Sequence, residues 1–167
     1  MTAMALDRLL VLSDYCVAPQ RLAEVVADLD ETELDRSLQP DTWTIRQIVH
    51  HIVDGDDLWS IGIKAALGSS TGIFTLQWYW EVPQTMWAEK WHYADRGVQS
   101  SLDLFRANRQ HIAQLLGVVP EAWDQIITIQ WAGREDKPAS VAEMIGSQAR
   151  HALEHIQEIE AILSLEV

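Results

Sequence analysis

Two histidines near the end of the chain have the spacing of a metal site. His151 and His155 are four residues apart within a segment, Ser140 to Leu165, whose apolar residues follow a helical period. Residues at this spacing lie about one turn apart on one helix face, so both imidazoles can reach a single cation. The pair therefore predicts two metal ligands, and a third must come from another part of the chain.

The helical period also places this pair on the inward face. One narrow sector of the helix holds both histidines together with Met144, Gln148, Ile159 and Ile162. The polar residues Arg150, Glu154 and Gln157 fall on the opposite side. The alternative interpretation is a pair of hydrogen-bonded core histidines. Burying two imidazoles costs on the order of 1–3 kcal/mol each unless something satisfies their nitrogens.

The third ligand is predicted on an earlier helix, which begins after a capping box formed by Thr44 and Gln47 and runs from about Ile45 to Leu67, before Gly68. It contains adjacent histidines, and the helical period separates them. His51 shares a stripe with Ile48, Gly55, Trp59, Gly62 and Ala66. His50 falls with Asp54, Asp57, Ile61 and Lys64, which is mostly a solvent face. His51 is therefore the predicted ligand, and Gly55 and Gly62 leave room for a metal or for a closely packed helix.

Both histidine segments resemble those of one known family. The run WTIRQIVHHIVD from Trp43 to Asp54 and the run HALEHI from His151 to Ile156 are similar to the histidine motifs of the DinB/YfiT-like metalloenzymes. The resemblance extends over nearly the whole chain, and the extra histidine at His50 is a departure from the commoner pattern.

This resemblance implies a metal site on His51, His151 and His155, within a four-helix bundle of unusual topology. Characterised members of the family include transferases and isomerases that use low-molecular-weight thiols such as bacillithiol or mycothiol. In these enzymes the metal activates the thiol.

Length and composition predict a single domain over residues 1–167. The net charge of −13 argues against nucleic acid as a partner, because such binding depends on cations that meet phosphates. The chain has one cysteine, Cys16, predicted to be a buried or half-buried thiol, and no apolar run long enough for a membrane span. A cytoplasmic protein without nucleic-acid or membrane partners is expected.

The helical periods predict an all-α protein, a four-helix bundle with long connections. The first helical region, from about Ala5 to Leu29, should be interrupted so that a helix starts near Pro19. Residues 68–82 are predicted to be a loop, and a long third helix should run from Pro83 to Leu116 with a bend near His92. A short strand is expected at Ile126 to Trp131, before the last helix, which Ser140 and Glu143 open with a capping box.

Tryptophan is abundant in the middle of the chain, at Trp59, Trp78, Trp80, Trp87 and Trp91. The functional interpretation is an aromatic wall at the mouth of the metal site that binds a small apolar or thioether substrate. The alternative, which we favour, is that these residues pack the end of the bundle or a homodimer interface.

Two acidic residues are candidates for orienting the ligands, because metal-bound imidazoles usually donate their other nitrogen to a carboxylate or carbonyl. Glu158 flanks His151 on the last helix, and Asp54 lies one turn beyond His51. His92 and His111 are not assigned to the site.

Three histidines with an open coordination position are typical of a catalytic metal site. Zinc is the first choice, and nickel, iron(II) and manganese also accept imidazole. The leading hypothesis is a metal-dependent S-transferase that joins a low-molecular-weight thiol to a small electrophile. The alternatives are a hydrolase that uses metal-bound hydroxide, or a non-enzymatic stress protein that stores metal or is stabilised by it.

Overall fold

The helices of the protein form a bundle, as the periodicity predicts. The computed structural model describes residues 3–119 and 121–165. Its α-helices are α1 (Ala3–Val26), α2 (Glu31–Leu34), α3 (Ile45–Gly68), α4 (Gln77–Trp80), α5 (Gln84–Lys90), α6 (Gln99–Val118) and α7 (Val141–Leu163). The capping boxes predicted for α3 and α7 are present, since the side chains of Thr44 and Ser140 accept from the backbone N–H groups of Gln47 and Glu143.

The four long helices form a bundle in which chain neighbours are not always spatial neighbours. Helix α1 packs against α6 and α7, and α3 packs against the same two helices. The pairs α1/α3 and α6/α7, which follow one another along the chain, therefore lie across from each other. This arrangement needs the long connections that the sequence predicts.

A small sheet lies beside the bundle, next to α3. Its strands are β1 (Ile73–Thr75), β2 (Ile126–Gln130) and β3 (Lys137–Ser140), in the order β1-β2-β3. Strand β1 is parallel to β2, with Ile73 opposite Thr128, and β2 is antiparallel to β3. The predicted strand at residues 126–131 is confirmed. The expectation of a plain loop over residues 68–82 is wrong, because that segment contains β1 and α4.

Helix α1 runs through Pro19 without the predicted interruption. A proline inside a helix leaves the carbonyl four residues earlier without its usual donor. Here that carbonyl belongs to Tyr15, and it accepts a hydrogen bond of 2.7 Å from Arg109 Nη1. A side chain from α6 thus replaces the missing N–H, a long-range contact that local sequence rules do not include.

The predicted long third helix is wrong, because the chain forms α5 and α6 instead. His92 has φ 51° and ψ 48°, a left-handed conformation that ends α5, and a 3₁₀ turn at Tyr93–Asp95 follows. Tyr93 is buried in this turn, with its ring 5.4 Å from that of His50. Burial of Tyr93 against α3 accompanies this break in the apolar period.

A buried ion pair joins the helices near the middle of the bundle. Arg109 on α6 lies 2.9 Å from Asp56 on α3, and both side chains are only 1% exposed. Arg109 also donates to the carbonyls of Tyr15 on α1 and Gln148 on α7. Its guanidinium lies over the ring of Phe105. One side chain therefore contacts groups from all four long helices.

Within the described residues, no helix is both long and apolar enough to cross a bilayer.

We predict that Arg109→Met lowers the free energy of unfolding by about 3–5 kcal/mol, because it leaves the Asp56 carboxylate buried without its cation. Urea denaturation followed by circular dichroism at neutral pH measures this change. The matched control is Arg106→Met, since Arg106 makes an exposed pair with Asp103 and its loss should cost less than about 1 kcal/mol. Equal losses for the two variants would contradict this account of Arg109.

Candidate metal centre

The structure brings His51, His151 and His155 together, as the sequence predicts. One nitrogen from each ring lies within 4.8 Å of the corresponding nitrogens of the other two. The Nε2 atoms of His51 and His151 are 3.1 Å apart. The ring centroids are separated by 4.7–5.0 Å, with the rings at steep angles to one another. Three imidazoles from two helices therefore point toward one small volume.

Adjacent packing of α3 and α7 places these rings. His51 lies on the stripe of α3 that faces α7, and His151 and His155 lie on the facing stripe of α7. Gly55, one turn after His51, has no side chain, and a Cβ atom built there would lie 4.0 Å from His151 Cε1. The glycine leaves space beside the rings, as predicted for a site with room for a ligand. Gly62 does not serve this purpose, because the ring of Phe74 packs directly on it.

The surroundings keep two of these rings neutral. Burial, together with the smaller effects of the neighbouring His151 and His155, lowers the pKa of His51 to about 2. Burial likewise lowers the pKa of His151 to about 4, with smaller contributions from His155 and Arg109. Neutral imidazoles carry the lone pairs that metal coordination requires. Both rings are therefore neutral at neutral pH, in the form that can coordinate a metal.

His155 is held by the acidic residue predicted to orient the site. Its Nδ1 lies 2.8 Å from Glu158 Oε2. Nε2 is the ring nitrogen that this bond leaves available for a metal. The sequence placed Glu158 beside His151, whereas the carboxylate bonds to His155. Trp43 covers the group from outside, with its ring 4.4 Å from His51 and 6.5 Å from His155.

The other acidic candidate, Asp54, faces a different part of the structure. Its carboxylate lies 3.4 Å from Arg96 Nη1. It also faces Tyr93, whose pKa is raised first by burial and then by the charge of Asp54. No hydrogen bond joins Asp54 to the three histidines in the described part of the chain. Its contacts support the Tyr93 turn.

The prediction that His50 lies on a solvent face is wrong. Its side chain is fully buried, with Nδ1 2.9 Å from Ser101 Oγ and Nε2 3.2 Å from the carbonyl of Arg96. Both ring nitrogens are thus used away from His51. Helix α6 and the Tyr93 turn cover the first half of α3, so polar residues there are buried as well. For this reason the helical period alone predicted the wrong environment for His50.

A cavity of about 240 Å³ opens beside His51 and His151. Trp59 on α3 and Trp80 on α4 line it, so part of the predicted aromatic wall is present. The other tryptophans of that group, Trp78, Trp87 and Trp91, form an aromatic cluster around Tyr79. The aromatic-wall interpretation therefore holds for Trp59 and Trp80 and not for these three residues.

Sequence reasoning missed several residues of this cavity. Trp131 packs on Trp59 and Trp80 with centroid distances of 5.8 and 5.2 Å, and Arg134 lies over the Trp80 ring at 5.7 Å. Both belong to the connection between β2 and β3, next to Gly133 with its positive φ of 65°. The tryptophan at the end of a predicted strand was the available signal, but only the sheet brings it to the histidines.

The remaining candidates lie away from the site. His92 and His111 are exposed, in agreement with leaving them unassigned. Cys16 is also exposed, which corrects the prediction of a buried or half-buried thiol. It lies on the part of α1 that faces outward from the bundle.

The fold and the histidine segments are those of a known family. The family model of the DinB superfamily matches residues 16–159. The chain belongs to the DinB superfamily. The resemblance noted in the two histidine segments is thereby confirmed.

Solved and curated DinB-like proteins are similar over most or part of the chain. YfiT from Bacillus subtilis, described as "a probable metal-dependent hydrolase with an unusual four-helix bundle topology", superposes with a TM-score of 0.80 at 17% identity, over 97% of this chain and 87% of its own. At that identity the likeness shows the shared fold alone.

A protein of Oceanobacillus iheyensis named "putative metal-dependent hydrolase" is 26% identical over 145 residues, 86% of this chain and 78% of its own. A Bacillus mycoides protein with the same kind of name is 41% identical over 49 residues, which cover 29% of this chain and 28% of that protein.

We predict that the metal-free protein loses stability as the pH falls from about 7 to about 5. In the unfolded chain the histidines take up protons near their reference pKa of about 6.5, whereas folded His51 and His151 stay neutral in this range. The unfolded state then binds more protons, so acidification favours it. Urea denaturation of protein treated with a chelator, at a series of pH values, measures the slope.

The variant His151→Leu should reduce this pH dependence, because it removes one group that must be buried neutral. His111→Leu is the control, since His111 is exposed and its loss should leave the slope unchanged. A flat profile in the unmodified protein, or equal effects of the two substitutions, would argue against the neutral histidine cluster.

Proposed function

We propose that the protein is a metal-dependent enzyme that binds one divalent ion through His51, His151 and His155 and acts on a small molecule. The observation that carries this proposal is the convergence of three buried or half-buried imidazoles beside an aromatic cavity. The relatives named as metal-dependent hydrolases support the same general role.

The donor set fits a metal in chemistry, and one pair of nitrogens has a suitable spacing. In a tetrahedral zinc site, Zn–N bonds of about 2.0–2.1 Å place neighbouring nitrogens about 3.3 Å apart. The Nε2 atoms of His51 and His151 are already 3.1 Å apart. Without a cation, two neutral imidazoles at this distance can share only a single hydrogen bond. The bond between His155 Nδ1 and Glu158 is of the type that orients a metal-bound imidazole.

Zinc is the proposed ion, because three imidazoles and one remaining position match its catalytic sites. Nickel, iron(II) and manganese are the other candidates. A bound ion of this type supplies a Lewis acid that lowers the pKa of a thiol or of water. His51 and His151 line the cavity, so the protein's own contribution is to hold the reacting molecule there and to exclude bulk solvent with tryptophan side chains.

The proposed reaction is transfer of a low-molecular-weight thiol to a small electrophile. The thiol gives its proton to solvent, its sulfur forms a bond to the electrophilic carbon, and the leaving group departs with the electrons of its bond. Among the described residues, the side chains that line the cavity include no carboxylate. This lining suits a thiol, which ionises readily and needs no strong general base.

Hydrolysis is the second candidate, and the names of the relatives favour it. In that reaction water replaces the thiol as the nucleophile, so activity would not depend on an added thiol. A storage or purely structural role for the metal remains the non-enzymatic alternative, and it predicts binding without turnover.

We predict that His51→Ala mainly lowers zinc affinity, whereas His50→Ala mainly lowers the stability of the fold. His51→Ala removes one of three ligands and should weaken zinc affinity by about 100-fold or more. His50→Ala should leave zinc affinity within about threefold. It should still lower stability by about 1–3 kcal/mol, because Ser101 and the Arg96 carbonyl lose a buried partner.

Titration of dialysed, untagged protein with zinc at neutral pH, together with urea denaturation, separates these effects. The unmodified protein should bind zinc more tightly than about 100 μM. Weaker binding in the unmodified protein, or the larger loss of affinity in His50→Ala, would refute the proposed ligand set.

We predict metal-dependent consumption of thiol by the zinc-loaded enzyme in the presence of chlorodinitrobenzene. Removal of the metal, or His151→Ala, should abolish the rate above background, while His111→Ala should retain it. A panel of small thiols assayed by conjugate formation measures this activity. Nitrophenyl acetate without thiol is the parallel assay, and metal-dependent ester cleavage there would favour the hydrolase. Full activity after complete metal removal would exclude both reactions.

A further inference from the structure

A second cavity adjoins the first one on the outside of the protein. It has a volume of about 690 Å³ and shares Trp59, Trp131, Arg134 and Ser147 with the cavity beside the histidines. The rings of Trp59 and Trp131 therefore stand where the two spaces meet. We call the first space the inner cavity and the second the outer cavity. The outer cavity thus adjoins the space beside His51 and His151.

Several basic side chains that make no hydrogen bond or ion pair within the described residues line the outer cavity. Arg134, Lys137 and Arg150 all line it. In the described part of the chain, Arg134 and Arg150 differ from the other arginines because they make no hydrogen bond or ion pair with protein groups. The arginines that do make such contacts are Arg8, Arg21, Arg36, Arg46, Arg96, Arg106 and Arg109.

This grouping stands out in a chain with a net charge of −13. The outer cavity also includes two acidic residues, Glu135 and Glu143. Glu143 is engaged in capping α7, because its Oε2 accepts from the backbone N–H and the hydroxyl of Ser140. Three basic side chains still outnumber the two carboxylates of this lining, so the outer cavity is locally positive.

Aromatic side chains at the boundary between the two cavities form an apolar surface on which a flat group can pack. Trp131 packs there on both Trp59 and Trp80, with tilted rings. The aromatic walls and the nearby cations together match an organic anion with a flat apolar portion.

We infer that the site takes a small organic anion with a flat apolar portion, whose carboxylate is held by Arg134 and Arg150 at the outer cavity. The apolar portion then lies along Trp59 and Trp131 and points toward His51 and His151. Arginine is suited to this task, since its planar guanidinium binds a carboxylate in a bidentate manner. The inference rests on the proposed function for the statement that this anion is a substrate, whereas the anion site itself can be tested without metal.

The experiment compares naphthylacetate with its neutral analogue naphthylacetamide, which has the same ring system. Isothermal titration calorimetry is performed with the full chain, both metal-free and zinc-loaded. We expect the carboxylate to bind about tenfold or more tightly than the amide in both forms. In the double variant Arg134→Gln/Arg150→Gln, the carboxylate should lose about tenfold in affinity, and the amide should change by less than about twofold.

The matched control is Lys64→Gln/Lys90→Gln, which removes the same charge at exposed positions of α3 and α5 away from both cavities. Its affinity for both compounds should stay within about twofold of the unmodified protein. An equal loss in this control would mean that net charge alone drives binding, and it would overturn the inference. Equal affinity of the unmodified protein for the acid and the amide would overturn it as well.

The two metal states distinguish this inference from the proposed function. A preference for the carboxylate that appears only with zinc, and survives the arginine substitutions, would place the carboxylate on the metal and refute the arginine site. A preference that depends on the arginines in a protein that fails to bind zinc would support the anion site while refuting the metal enzyme.

Discussion

The bundle depends on one buried cation. Arg109 binds Asp56 and the carbonyls of Tyr15 and Gln148, so a single guanidinium joins all four long helices. A buried ion pair gains little over a well-packed apolar contact, but breaking one is costly because the other charge stays buried. The pair therefore specifies which helices meet, and at which level, more than it adds to stability. It also lets α1 continue through Pro19, whose missing N–H would otherwise leave the Tyr15 carbonyl unpaired.

This ion pair forms a polar layer that divides the apolar core. One buried apolar cluster includes Ile52 and Phe105, and the other includes Ile63 and Ile112. The histidine site lies at the same level, since Gly55 precedes Asp56 and Gln148 is one turn before His151. The contacts that fix α3 against α7 are thus next to the rings that must converge. Such fixed placement lets neutral imidazoles stay close together at a spacing suited to a metal.

The bundle supplies the ligands, whereas segments outside it shape the space around them. Trp80 comes from a short helix in the α3–α6 connection, and Trp131 and Arg134 come from the connection between β2 and β3. The small sheet brings these two segments together because β1 pairs with β2. Connections on a rigid scaffold can vary without disturbing the core. In proteins with this bundle, the residues that select the substrate are therefore expected to lie in these connections, while the three histidines stay the same.

The sequence by itself determined the features that depend on short-range geometry. The spacing of His151 and His155, the two capping boxes and the inward stripe of α7 all follow from one helix period, which acts over a few residues. The choice of His51 followed from the same rule. Only the tertiary structure decided the burial of His50, because the Tyr93 turn covers a polar face of α3. The positions of Trp131 and Arg134 also required it, since strand pairing and helix packing join residues far apart in the chain, and local periodicity contains no information about such partners.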